Sequence, residues 1–136
     1  MNSLMSLIPS LIMLIIIPFF WMLCFKLSAR LLRRRVITWK HSYIIGFILT
    51  LMSMIGNTLL YIGGVPLPLP LAIVLAFVLQ VVIGAWFLSR RATYADGREL
   101  GWRGGAELTA LAVFILTSVG MTWLIISSRL LPPIVQ

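Results

Sequence analysis

Three long stretches of the chain carry no Asp, Glu, Lys or Arg: Met1 to Phe25, Ser42 to Ser89 and Leu108 to Ser128. Uncharged apolar runs of about 18 or more residues match a bilayer core roughly 30 Å thick. The middle stretch is too long for one crossing. GGVPLPLP at 63–70 divides it, because glycine and alternating prolines cannot continue a helix. The pattern predicts four spans, at about 7–25, 42–62, 70–88 and 108–127. Pro18 predicts a bend in the first, where its ring meets the carbonyl one turn earlier; Pro9, near the start, is better tolerated. No basic residue precedes Lys26, so this segment lacks the basic opening of a cleavable signal and is expected to stay as a membrane helix.

Composition agrees with this division. Hydrophobic residues form 61% of the chain and charged residues 10%, against about 45–50% and 25% in soluble domains. Of the eleven Lys and Arg, Lys26, Arg30, Arg33, Arg34, Arg35 and Lys40 lie between spans one and two, and Arg90, Arg91, Arg98 and Arg103 between spans three and four. Short loops rich in Lys and Arg stay cytoplasmic, which predicts that both termini and the Pro-rich turn face out. Trp21, Trp39, Trp86 and Trp102 flank the basic loops, where amphipathic rings settle at headgroup level.

The hairpins also resemble each other in sequence. WMLCFK (21–26) and WFLSRR (86–91) each end a span, and Trp39-Lys40 and Trp102-Arg103 each open the next. LMSMIGNTLLYI (51–62) aligns with ILTSVGMTWLII (115–126), matching Gly56 with Gly120 and Thr58 with Thr122. The expected fold is an all-α integral membrane protein, one membrane domain over 1–136. Two tandem hairpins, about 7–62 and 70–127, are separated by an outer turn at 63–69 and form a parallel internal repeat about the membrane normal.

Helices in lipid associate through small residues and interhelical hydrogen bonds. Span three places Ala72, Ala76, Gln80 and Gly84 along one face. Span two offers Gly46, Thr50, Ser53 and Gly56 or Asn57, and span four Ala106, Ala110, Thr117 and Gly120. The expected helix-contact or partner surface is therefore Ala72, Ala76, Gln80, Gly84, Gly56, Asn57 and Gly120. Span one has almost no small residue after Ser10 and is expected at the periphery, leaving spans two, three and four as the contact core.

The loops carry little chemistry. Arg30, Arg33, Arg34 and Arg35 form a cluster suited to anionic lipid headgroups. Topology accounts for nearly all of the net charge of +8, so nucleic acid is not an expected partner. Asp96 and Glu99 are spaced as a helix cap and its reciprocal partner, with Arg103 one turn beyond Glu99. Gly101, Gly104 and Gly105 predict a flexible turn rather than a long helix. One histidine, His41, and one cysteine, Cys24, exclude an intrachain disulfide and paired-histidine haem ligation within one chain. Neither a cofactor, a metal nor enzyme activity is expected. The leading expectation is a small noncatalytic multi-pass subunit of a bacterial inner (plasma) membrane, assembling with itself or with a larger membrane complex. The alternatives are a small oligomeric transporter or channel and, third, a cofactor-binding redox anchor.

Overall fold

The computed structural model describes residues 2–33, 35–64 and 67–130. Their order is α1 (Asn2–Leu31), β1 (Arg35–Val36), α2 (Trp39–Gly63), α3 (Leu69–Leu88), β2 (Thr93–Tyr94) and α4 (Gly101–Leu130). All four helices are long and apolar enough to cross a membrane. α1 runs without a break through Pro9 and Pro18 and past Lys26. α2 starts at Thr38, whose hydroxyl accepts from the backbone N–H of His41, and stops at Gly64, whose φ of 57° suits a glycine C-cap.

The two basic loops meet at one end of the bundle. β1 pairs antiparallel with β2, Arg35 opposite Tyr94 and Val36 opposite Thr93. The second loop is tied back to α3, with the N–H of Leu100 donating to the Ala92 carbonyl and that of Gly101 to Ser89, both at 3.0 Å. Instead of ending in a flexible turn it leads directly into α4, which includes Gly104 and Gly105 from its first turn. Nor do its acids act as a capping box. Asp96 bonds Arg98, Glu99 bridges to Thr93, and the acid paired with Arg103 is Glu107.

The helices do not pack as the stripes of small residues predict. α1 lies along α2 and also meets α4, α3 lies along α4, and α2 touches α3 only slightly. α1 is central instead of peripheral at the basic end, where Trp21, Cys24, Phe25, Ser28 and Ala29 are all buried. Small residues on a partner substitute for small residues of its own: a Cβ on Gly46 would sit 2.6 Å from that of Trp21, so α2 supplies the recess. On α4 the buried face holds Gly105, Leu108, Thr109, Ala112 and Val113, while Ala106 and Ala110 are half-buried and Thr117 and Gly120 exposed. The packed face is thus turned away from the expected row.

Burial is confined to the basic half. Among the described residues, the buried ones lie between Pro18 and Thr50 and between Gly84 and Val113. No described residue of the remaining helix lengths is buried. Burying Phe25, Leu49, Leu88 and Leu108 together fixes the junction of the hairpins, through close packing instead of differential hydrophobicity, since lipid tails are as apolar as leucine.

Candidate functional site

Two features of the spans stand out from their generally apolar surface. The first is a pair of close contacts between neighbouring helices. Gly46 of α2 receives Trp21 of α1, and Gly84 of α3 receives Thr109 of α4, where an added Cβ would lie 2.2 Å from the threonine hydroxyl oxygen. Trp21 and Gly84 are 63 residues apart, and so are Gly46 and Thr109. The same spacing relates other buried positions: Phe25 and Leu88, Ala29 and Ala92, Ile37 and Leu100, Ile45 and Leu108, Leu49 and Ala112. It also relates Trp39 to Trp102. The two tryptophans that open WMLCFK and WFLSRR differ in burial, Trp21 being 4% exposed and Trp86 65%. At the 63-residue spacing from Trp21 stands Gly84, where the bulky partner is on the facing helix.

The second feature is a groove of about 540 Å³ between α2 and α3, on the side away from the basic loops. Ser53, Gly56, Asn57, Ala72, Ala76 and Gln80 contribute to its lining along with leucines and isoleucines. At its inner end the Gln80 side-chain N–H donates to the Ser53 hydroxyl at 3.2 Å. This is the one side-chain hydrogen bond between spans among the described residues, a type worth about 0.6–2 kcal/mol. The expected contact residues thus divide. Gly84 is buried within the chain and Gln80 bonds a neighbouring helix. Ala72 and Gly56 are half-buried in the groove wall. Ala76 and Asn57 line it while exposed, and Gly120 is exposed on α4 with nothing within 4 Å of an added Cβ.

Most other polar groups in the spans are satisfied locally. Thr50, Thr58, Thr109, Thr117, Ser118 and Thr122 each donate to the carbonyl four residues earlier on their own helix, at 2.8–2.9 Å. A hydroxyl bonded in this way can face lipid without a partner. Cys24 is buried in the core as a free thiol. His41 uses its Nδ1 against the Thr38 hydroxyl at 2.9 Å and sets its ring edge-on to Phe87. It belongs to the start of α2. The threonine three residues ahead of it was the sequence signal for that cap.

At the basic end the arginines separate into roles. Arg35 is held by Glu107 and by the Gly104 carbonyl, its side chain 11% exposed, so it joins the first loop to α4 instead of reaching outward. Arg30 and Arg33 are exposed, and Arg34 lies outside the described residues. Lys26 donates to the Ile37 carbonyl and lies 4.6 Å from the Trp39 ring centre. Asp96 accepts from both the side chain and backbone of Arg98, which holds its carboxyl below the usual carboxylate range. No group of three or more potential ligands that could hold a metal occurs among the described residues.

Fold and site together define an all-helical chain with four helices suited to crossing a membrane, tightly packed at its basic end and open at the other. Comparisons with protein-family models, with curated proteins and with solved structures gave no match.

Proposed function

We propose that this chain is a noncatalytic multi-pass membrane subunit that acts by helix assembly, with a second copy or a larger membrane complex, through the α2–α3 groove. The observation that carries this reading is the mismatch between helix length and burial. No described residue of α2 beyond Thr50 or of α3 before Gly84 is buried, the two helices touch only slightly, and the walls they present there include Gly56, Ala72 and Ala76. Small residues on such walls allow another helix to approach closely. The locally bonded hydroxyls weigh against the transporter or channel reading, in which Ser and Thr would line a polar path.

The groove and the core answer differently to added bulk, which gives a direct test. A Cβ added at Gly56 meets no atom of another helix within 4 Å, and Ala76 is exposed. The double variant Gly56→Leu, Ala76→Leu is expected to keep wild-type helix content and thermal stability while losing its partner. Purification in gentle detergent at native abundance, followed by crosslinking, reads the outcome. A variant that still copurifies with the same partner, or keeps the same oligomer size, would remove the groove as the assembly surface.

In the bilayer, the basic loops face the cytoplasm of a bacterial inner membrane and the termini face out, supported by ten of the eleven Lys and Arg lying in these loops. The hairpins act as a parallel repeat, supported by the 63-residue recurrence of buried positions. Arg30, Arg33 and Arg34 lend the cytoplasmic surface an affinity for anionic lipid. In a Cys24→Ala background, single cysteines at Ile62 and Ser128 are expected to react with an impermeant thiol reagent in intact cells, and those at Lys40 and Ala95 to stay unlabelled. Gly64 and Gly97 are avoided because their φ values of 57° and 87° would strain a cysteine. The opposite labelling pattern would invert the orientation.

A further inference from the structure

The pairing of β1 with β2 creates an open concavity of about 580 Å³ that neither loop forms alone. Leu32, Arg33 and Arg35 line it from the first loop, and Tyr94, Ala95, Asp96 and Arg98 from the second. We propose that this concavity is a binding site for one phosphate group, carried by a phospholipid headgroup or free in solution. Three guanidinium groups and one carboxylate line it, and with Glu107 paired to Arg35 from behind one positive charge is left in excess; guanidinium forks match phosphate oxygens in bidentate geometry.

The three arginines divide the work. Arg35 is fixed against Glu107 and the Gly104 carbonyl, above the Tyr94 ring at 6.0 Å, so it forms a rigid charged wall. Arg33 and Arg98, both exposed, supply the donors that can turn toward a ligand. Arg33, two residues past the end of α1, has a φ of 39°, in the left-handed region where helix ends ordinarily use glycine. An arginine held in that conformation at the rim of a basic concavity trades backbone ease for a side chain at that place. Arg98 is occupied by Asp96 at 2.8 Å, and this carboxylate is the group an arriving phosphate displaces. The site deepens the anionic-lipid reading of the first loop: Tyr94, Asp96 and Arg98 turn a diffuse charge cluster into a saturable site.

Asp96 separates this site from general attraction between a basic surface and an anionic membrane. Asp96→Asn keeps an acceptor for the Arg98 backbone N–H but releases the guanidinium, so it is expected to tighten phosphate binding. Arg33→Gln and Arg98→Gln should each weaken it about fivefold, the effect of one basic residue near a surface. Arg30→Gln, outside the concavity, should have a smaller effect than either. The full chain would be placed in phosphatidylcholine nanodiscs. In one arm a phosphatidylglycerol fraction is titrated and bound lipid counted by native mass spectrometry; in the other, inorganic phosphate is titrated calorimetrically. Discs expose both faces, so a wrong cellular orientation leaves the result unchanged.

Saturation at one lipid per chain identifies a headgroup site, and saturation by inorganic phosphate alone identifies a free-anion site. Either result, with the stated order of variants, supports the proposal. It is overturned by the lack of saturation in both arms, by Arg30→Gln weakening binding as much as Arg33→Gln, or by Asp96→Asn failing to tighten it.

Discussion

Replacing Gly84 with leucine is expected to destabilise the bundle by about 3 kcal/mol, the upper end of ordinary overpacking. A Cβ at this position alone would lie 2.2–2.7 Å from three side-chain atoms of Thr109, and both residues are buried between α3 and α4. Thr109 cannot swing away easily, since its hydroxyl is bonded to the Gly105 carbonyl at 2.9 Å. The first hairpin shows the remedy, for it places the large residue on the leading helix and the glycine on the returning one. Gly84→Leu combined with Thr109→Gly recreates that arrangement and should recover about 1–2 kcal/mol beyond additivity, within the range of coupled neighbours. Reversible unfolding in mixed detergent micelles would measure all four corners of the cycle. Gly120→Leu, with open space around it, serves as a control expected within about 0.5 kcal/mol of wild type. An additive cycle would mean that the helices yield at this contact and that Gly84 is not a fixed point of the fold.

Gly46→Leu is expected to be as damaging, but not to be rescued in the same way. Its added Cβ would meet the Trp21 Cβ at 2.6 Å and the Pro18 carbonyl oxygen at 3.0 Å. Trp21→Ala leaves both of those atoms in place, so the double variant should show little recovery. It also loses the stacking of Trp21 on Phe25, whose ring centres are 5.8 Å apart. About 3 kcal/mol of destabilisation from Gly46→Leu, undiminished by Trp21→Ala, is the expected result of the same unfolding measurement. Substantial recovery in the double variant would show that the indole, and not the backbone approach of α1 to α2, sets the spacing of the first hairpin.

Sequence reasoning reached these positions unevenly. Gly84 and Gln80 belong to the row of small and polar residues on span three, and both meet a neighbouring helix. Trp21 was legible only as a membrane-interface marker, and nothing local distinguishes it from Trp86, yet one is buried and the other exposed. Gly104 and Gly105 suggested a break in the helix because glycine lowers helix propensity. Both lie inside α4, where a side chain at Gly105 would press on the Ala85 backbone, 2.9 Å away at its carbonyl oxygen, and one at Gly104 on the Leu100 side chain at 2.6 Å. Arg35 looked like one of four equivalent headgroup ligands. Its partner Glu107 lies far along the chain, and no spacing rule connects the two.

How far α1 runs past Lys26, and that α4 starts at Gly101, were not determined by the sequence alone. What it determined by itself were the number of long apolar helices, the break between α2 and α3 and the clustering of positive charge in two loops. These are local properties: the length of an uncharged run, the placement of Pro and Gly, and the transfer preference of each side chain can be read one segment at a time. Tertiary structure alone decided which face of each helix is buried, that α1 belongs to the core, that the two loops meet through β1 and β2, and that α2 and α3 part to leave a groove. Along helices that are apolar all round, hydropathy cannot separate a face that meets lipid from one that meets protein. That choice rests on whether Trp21 fits over Gly46 and Thr109 over Gly84, a matter of shape between residues distant in the chain.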